Sequence, residues 1–141
     1  MLWHISLTIV TMSSILLSLV TGFAMMQSSP DGMTITEKDN KGQVQIALGG
    51  ILTVKLEASP GTGYAWHVVR NDPSLLKPMG ESVFEPKLED TGKKIIGAPE
   101  DQVFHFKAQS KGSNILSLEY VRKWEKKTAP LKTFSVTVQI N

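Results

Sequence analysis

Short apolar alternations with a period of two run through this chain from Gln43 to its last residues, and no stretch carries the spacing of an amphipathic helix of three turns. Val44, Ile46 and Leu48 alternate with Gln43, Gln45 and Ala47. After Gly49-Gly50, Leu52, Val54 and Leu56 alternate with Thr53, Lys55 and Glu57. The same period returns in Tyr64, Trp66 and Val68, in Phe104, Phe106 and Ala108, in Leu116, Leu118 and Tyr120, and in Phe134, Val136, Val138 and Ile140, with a short strand around Val83 and Phe84. A strand with this pattern buries one face and wets the other. About seven short strands separated by Gly, Pro and Asn predict an all-β, immunoglobulin-like β-sandwich.

Between these strands, Asn71-Asp72-Pro73 reads as a turn and Ser74 to Met79 as a single helical turn or irregular loop. Glu85 to Gln102 mixes charge, Pro and Gly, with Ile95 and Ile96 as its apolar anchors; it reads as a long exposed loop with a strand entering its far end. A chain of 141 residues accommodates one such domain, placed at 34–141. Met1 to Pro30 holds no Asp, Glu, Lys or Arg, and Ile5 to Val20 is apolar apart from Ser and Thr. We read 1–24 as a signal peptide, with Gly22 and Ala24 as the small residues before cleavage, and 25–33 as a flexible lead-in. An uncleaved membrane anchor is the competing reading; the Ser and Thr dilution disfavours it. The expected location is therefore outside the cytoplasm (secreted, periplasmic or vesicular), with no membrane association after cleavage. The chain has no Cys, so disulfides, thiol catalysis and thiolate metal sites are excluded and a packed core must carry the stability.

Little in the sequence supports catalysis. His67 and His105 fall on different strands, and two His are too few for a zinc site. Ser74-Leu75-Leu76-Lys77 matches a Ser-x-x-Lys spacing but lacks its companion motifs. Glu85, Glu89, Asp90, Glu100 and Asp101 lack the aromatic surroundings of a glycosidase pair and read as a solvated loop. Gly61-Thr62-Gly63 lacks the third Gly and the helix of a phosphate-binding turn. The basic run Arg122, Lys123, Lys126, Lys127 and Lys132 is broken by Glu125 and reads as a solvated hairpin loop rather than a nucleic-acid site. The chain is thus expected not to be an enzyme, with no cofactor, no metal and no nucleic-acid partner. Two aromatic loops stand out instead: Ser59 to Trp66, and Tyr120 to Trp124. Trp66, at the start of a sandwich strand, is expected in the core. Trp124, in a Lys-rich loop beside Arg122, is expected to be exposed as a binding anchor. An exported immunoglobulin-like adhesion or assembly module would fit these loops in general terms.

A more specific match comes from motifs. Ser59-Pro60-Gly61-Thr62-Gly63-Tyr64-Ala65-Trp66, Gly97-Ala98-Pro99-Glu100 before Val103-Phe104-His105-Phe106, and Arg122-Lys123-Trp124-Glu125 occur in this order. In order, spacing and strand pattern the chain resembles the chagasin family, protein inhibitors of papain-like cysteine proteases. It departs from the family pattern at Ser59, Gly61, Pro99 and Glu100, most of all in the middle loop. The resemblance implies three binding loops at one end of the sandwich and a monomer whose partner is a papain-like cysteine protease. It also implies that the protease-binding residues are Pro60, Gly61, Thr62, Gly63 and Tyr64 in the first loop, Gly97, Ala98 and Pro99 in the middle one, and Arg122 and Trp124 in the third. Pro60 would stiffen the first loop, and Gly61 and Gly63 would let its backbone approach the cleft floor.

Overall fold

The computed structural model describes residues 32–141; the expected leader and nearly all of the lead-in lie outside the described residues. The alternating segments form strands, and these make two sheets. The strands are β1 (Met33–Ile35), β2 (Gln43–Ile46), β3 (Ile51–Ala58), β4 (Ala65–Arg70), β5 (Leu76–Pro78), β6 (Val83–Pro86), β7 (Glu100–Ala108), β8 (Gly112–Val121) and β9 (Lys132–Ile140). The two strands beyond the expected seven, β1 and β5, have three residues each, too short to display an alternation. Ser74 to Met79 accordingly is a tight turn, held by the Ser74 hydroxyl donating to Asp72 Oδ1, that runs into β5.

One sheet is ordered β1-β3-β7-β5, with β6 also pairing with β7; the other is ordered β2-β9-β8-β4. The Gly49-Gly50 turn is not a hairpin. It carries the chain from β2, parallel to β9, across to β3 in the opposite sheet. Leu48 therefore falls outside the strand, in the turn, and is 47% exposed rather than continuing the inward row of half-buried Val44 and buried Ile46.

The inward faces meet as the period-two pattern requires. Leu52, Val54, Leu56 and Ala58 from β3 and Phe106 and Ala108 from β7 face Leu116, Leu118 and Tyr120 from β8 and Phe134, Val136, Val138 and Ile140 from β9. Each fully buried aliphatic or aromatic side chain of this kind contributes about 1.5–3 kcal/mol of transfer free energy.

Only two polar side chains are buried among the described residues, Gln102 and Asn114. Asn114 holds the end of the sandwich where β4 finishes and β8 begins. Its Oδ1 accepts from the Asp72 N–H and its Nδ2 donates to Asn71 Oδ1. Gln102 works toward the other end. Its Oε1 accepts the Trp66 N–H at 2.8 Å, and its Nε2 donates to the Trp66 carbonyl at 3.1 Å and to Ser82 Oγ at 2.9 Å. One side chain of β7 thus completes the bonding of the edge strand β4 in the opposite sheet, where a neighbouring strand is missing.

Candidate functional site

Three connections converge at the end of the sandwich where β3 finishes and β4, β7 and β9 begin. The first, Ser59 to Tyr64, closes on itself. Thr62 N–H donates to the Ser59 carbonyl, Gly63 N–H to the Pro60 carbonyl, and Thr62 Oγ1 to the Ser59 carbonyl at 2.6 Å while accepting from Tyr64 N–H. Pro60 opens this 3-10 turn, and Gly63 ends it in the left-handed region at φ 80°.

The third connection grips the first. Arg122 Nε donates to the Thr62 carbonyl at 3.0 Å, its guanidinium lies 4.3 Å over the Tyr64 ring, and its other arm pairs with Glu125 at 3.1 Å. Trp124 then folds over Gly63 so closely that a Cβ there would sit 2.2 Å from the indole ring. This gives Gly63 a reason the sequence did not supply. It must be glycine both for its backbone angle and to make room for Trp124, whereas a Cβ on Gly61 would meet open space.

Below the loops the stack continues inward. Tyr64 packs on Tyr120 at 5.3 Å between ring centroids, and Tyr120 on Trp66 at 5.2 Å. Trp66 is buried, as expected, and its indole N–H donates to the Glu57 carbonyl. The Tyr120 hydroxyl accepts the Ser59 N–H, tying the start of the first loop to the same column. From Trp66 at 3% exposure to Trp124 at 67%, an unbroken aromatic and cationic column runs from core to tip. Stacked rings and cation–π contacts each add about 0.5–1.5 kcal/mol beyond burial.

The middle connection, 87–99, meets the other side of the first loop. Gly97, Ala98 and Glu100 line a shallow cleft with Ser59, Pro60, Gly61 and Thr62. Pro99 is half-buried at the foot of the loop and does not line that cleft. The connection is a small hairpin with a Leu88–Lys94 bridge, strapped by ion pairs of Lys94 with Glu100 and Lys87 with Glu57. Lys87 holds the Glu57 carboxyl below the ordinary carboxylate range. Ile95 is half-buried, but Ile96 is 97% exposed and is not an anchor. Only one of two adjacent residues can turn inward here, and Ile96 is left as an apolar tip beside Gly97. The doublet was the available signal, and the expectation of two anchors missed it.

The remaining candidates do not form a site. His67 and His105 belong to opposite sheets, and both line an open groove of about 370 Å³ with Phe104, Pro78 and Glu81. His105 Nδ1 is bonded to Thr53 Oγ1 at 3.1 Å. Burial, and then the nearby Lys123 charge, lower the His67 pKa below its ordinary value. Because the folded state resists protonation there more than the unfolded chain does, this group's contribution to stability is complete above about pH 6.5 and declines as pH falls through the lower folded value. We expect the urea midpoint of the wild type to fall on going from pH 7 to pH 5, and His67→Gln to flatten part of that slope. An unchanged slope would remove His67 as a contributor.

Comparison with known proteins agrees with the motifs. The family model of the chagasin family peptidase inhibitors matches residues 45–138. Amoebiasin-2 from Entamoeba histolytica is 26% identical over 106 residues, which cover 75% of this chain and 83% of amoebiasin-2. Chagasin from Trypanosoma cruzi is 26% identical over 109 residues, covering 76% of this chain and 96% of chagasin. The crystal structure of a cysteine protease inhibitor from Entamoeba histolytica superposes with a TM-score of 0.62 at 24% identity, over 77% of this chain and 93% of that one, a likeness of fold. The chain belongs to the chagasin family of peptidase inhibitors, and it is an inhibitor rather than an enzyme.

Proposed function

We propose that this protein is a tight, reversible, non-covalent inhibitor of papain-like cysteine proteases, acting as a monomer whose three loops occlude the catalytic cleft. The observation that carries the reading is the column from Trp66 to Trp124, which braces the Pro60–Thr62 turn before any partner arrives. A paratope already ordered loses little conformational entropy on binding.

In this reading the turn enters the cleft above the catalytic Cys and His, Trp124 and Arg122 hold one side, and Gly97, Ala98 and exposed Ile96 hold the other. The same geometry accounts for survival of the inhibitor. A scissile bond must be presented in an extended segment with its carbonyl free to be polarised. Here the carbonyls of Ser59, Pro60 and Thr62 already accept bonds inside the protein, and the backbone is a turn. Export of the protein, with removal of residues 1–24, belongs to the same proposal. Membership of an inhibitor family gives the adhesion-module reading no support.

Titration of active papain with the purified protein, followed with a synthetic peptide substrate, tests the proposal. The expected outcome is reversible inhibition with the inhibitor recovered intact, and a failure of the folded protein to inhibit papain or its relatives would overturn it. Trp124→Ala is expected to raise the inhibition constant about 30-fold, which corresponds to about 2 kcal/mol for a central anchor. An unchanged constant would take Trp124 off the contact surface.

A further inference from the structure

The binding end is electrically lopsided. Between Glu119 and Lys132, Arg122, Lys123, Lys126, Lys127 and Lys132 stand against Glu119 and Glu125, a net charge of +3, while the whole chain carries +2. Arg122 and Glu125 neutralise each other in an ion pair. Lys123, Lys126 and Lys127 are exposed around Trp124 and have no carboxylate partner among the described residues. On the other side of the first loop the balance is reversed. From Glu85 to Asp101, Glu85, Glu89, Asp90, Glu100 and Asp101 outnumber Lys87, Lys93 and Lys94; with Glu85 paired to Lys55, Glu100 to Lys94 and Lys87 to Glu57, the charges left are Glu89, Asp90 and Asp101 against Lys93. The Pro60–Thr62 turn touches the hairpin through Gly97 and Ala98 and the basic loop through Arg122 and Trp124.

Three uncompensated lysines around an exposed aromatic anchor are a steering device. Such charges add little to the final contact energy but accelerate encounter with a surface of opposite sign and set its orientation. We propose that the preferred target is a papain-like protease whose cleft is flanked by acidic surface on the side that receives Trp124, and that Lys123, Lys126 and Lys127 select it. The proposal rests on the inhibitor reading above and deepens it by naming the chemistry of the partner's surface. A polyanion such as RNA fits less well, because the Glu100 carboxylate lines the cleft beside the turn at the same end.

The test uses two papain-like proteases, one with acidic and one with neutral surface on that flank. Association rates and inhibition constants are measured at low and moderate salt for three proteins. These are the wild type, the triple variant Lys123→Gln, Lys126→Gln, Lys127→Gln, and a control of equal charge change, Lys77→Gln, Lys107→Gln, Lys111→Gln. The control lysines lie toward the opposite end, where β7 finishes and β8 begins.

We expect association of the wild type with the acidic-flank enzyme to slow about tenfold between low and moderate salt. The loop variant should lose most of that dependence, and the control should keep it. The neutral-flank enzyme should be inhibited by all three at similar, slower rates. Three results would overturn the proposal: salt-independent association, equal losses in the loop variant and the control, or equal rates for the two enzymes. Absence of inhibition of both enzymes is distinguishable from these, and it would remove the inhibitor reading together with this one.

Discussion

Replacing Gly63 by valine is expected to weaken inhibition about a hundredfold while leaving the sandwich folded. Two penalties combine at this position. The backbone sits at φ 80°, where a β-branched residue is strained by about 1–2 kcal/mol, so the free loop relaxes out of the turn and that cost returns when a protease requires the turn again. In addition, a Cβ would occupy the space of the Trp124 ring, at 2.2 Å, so the indole must leave its seat and its anchor energy of about 2 kcal/mol is lost with it. Together these amount to about 3 kcal/mol, or roughly two powers of ten in the inhibition constant. Neither group belongs to the core, so urea unfolding should remain cooperative. A constant within threefold of wild type would mean that the Trp124 seat is not what orders the third loop.

Gln102→Leu should produce the largest loss of stability, about 3 kcal/mol in urea unfolding. The volumes are similar, but the substitution strands three polar groups at once: the Trp66 N–H, the Trp66 carbonyl and the Ser82 hydroxyl. Each unsatisfied buried group costs about 1–3 kcal/mol, and Ser82, at the edge, recovers part of its cost from water. The loss should also reach inhibition, because Trp66 is the foot of the column beneath the first loop. A change below about 1 kcal/mol would show that β4 is held by β8 alone.

Much of the fold was legible because alternation is a local property. β3, β8 and β9 present in the structure the very faces their residues announce, and the Pro60-to-Trp66 and Arg122-to-Glu125 motifs mark two of the three loops. What could not be read depends on contacts between distant residues. The parallel pairings of β1 with β3 and β2 with β9, and the seat of Trp124 on Gly63, join positions whose proximity no local pattern encodes. Gln102 lies between these cases. It continues the inward row of Phe104 and Phe106, so a buried glutamine was detectable as an anomaly, though its partner in the opposite sheet was not.

The column also gives the molecule two optical reporters with separate duties. Trp66 and Trp124, the tryptophans among the described residues, occupy its two ends, one sealed in the core and the other facing solvent. Indole emission shifts with the polarity around the ring, so unfolding should move the blue-emitting Trp66 toward red, and docking of a protease should move the red-emitting Trp124 toward blue. In a Trp124→Phe variant of residues 25–141, which leaves out Trp3, intrinsic fluorescence then follows folding through Trp66 alone, and the difference from the same residues with Trp124 isolates the tip of the third loop.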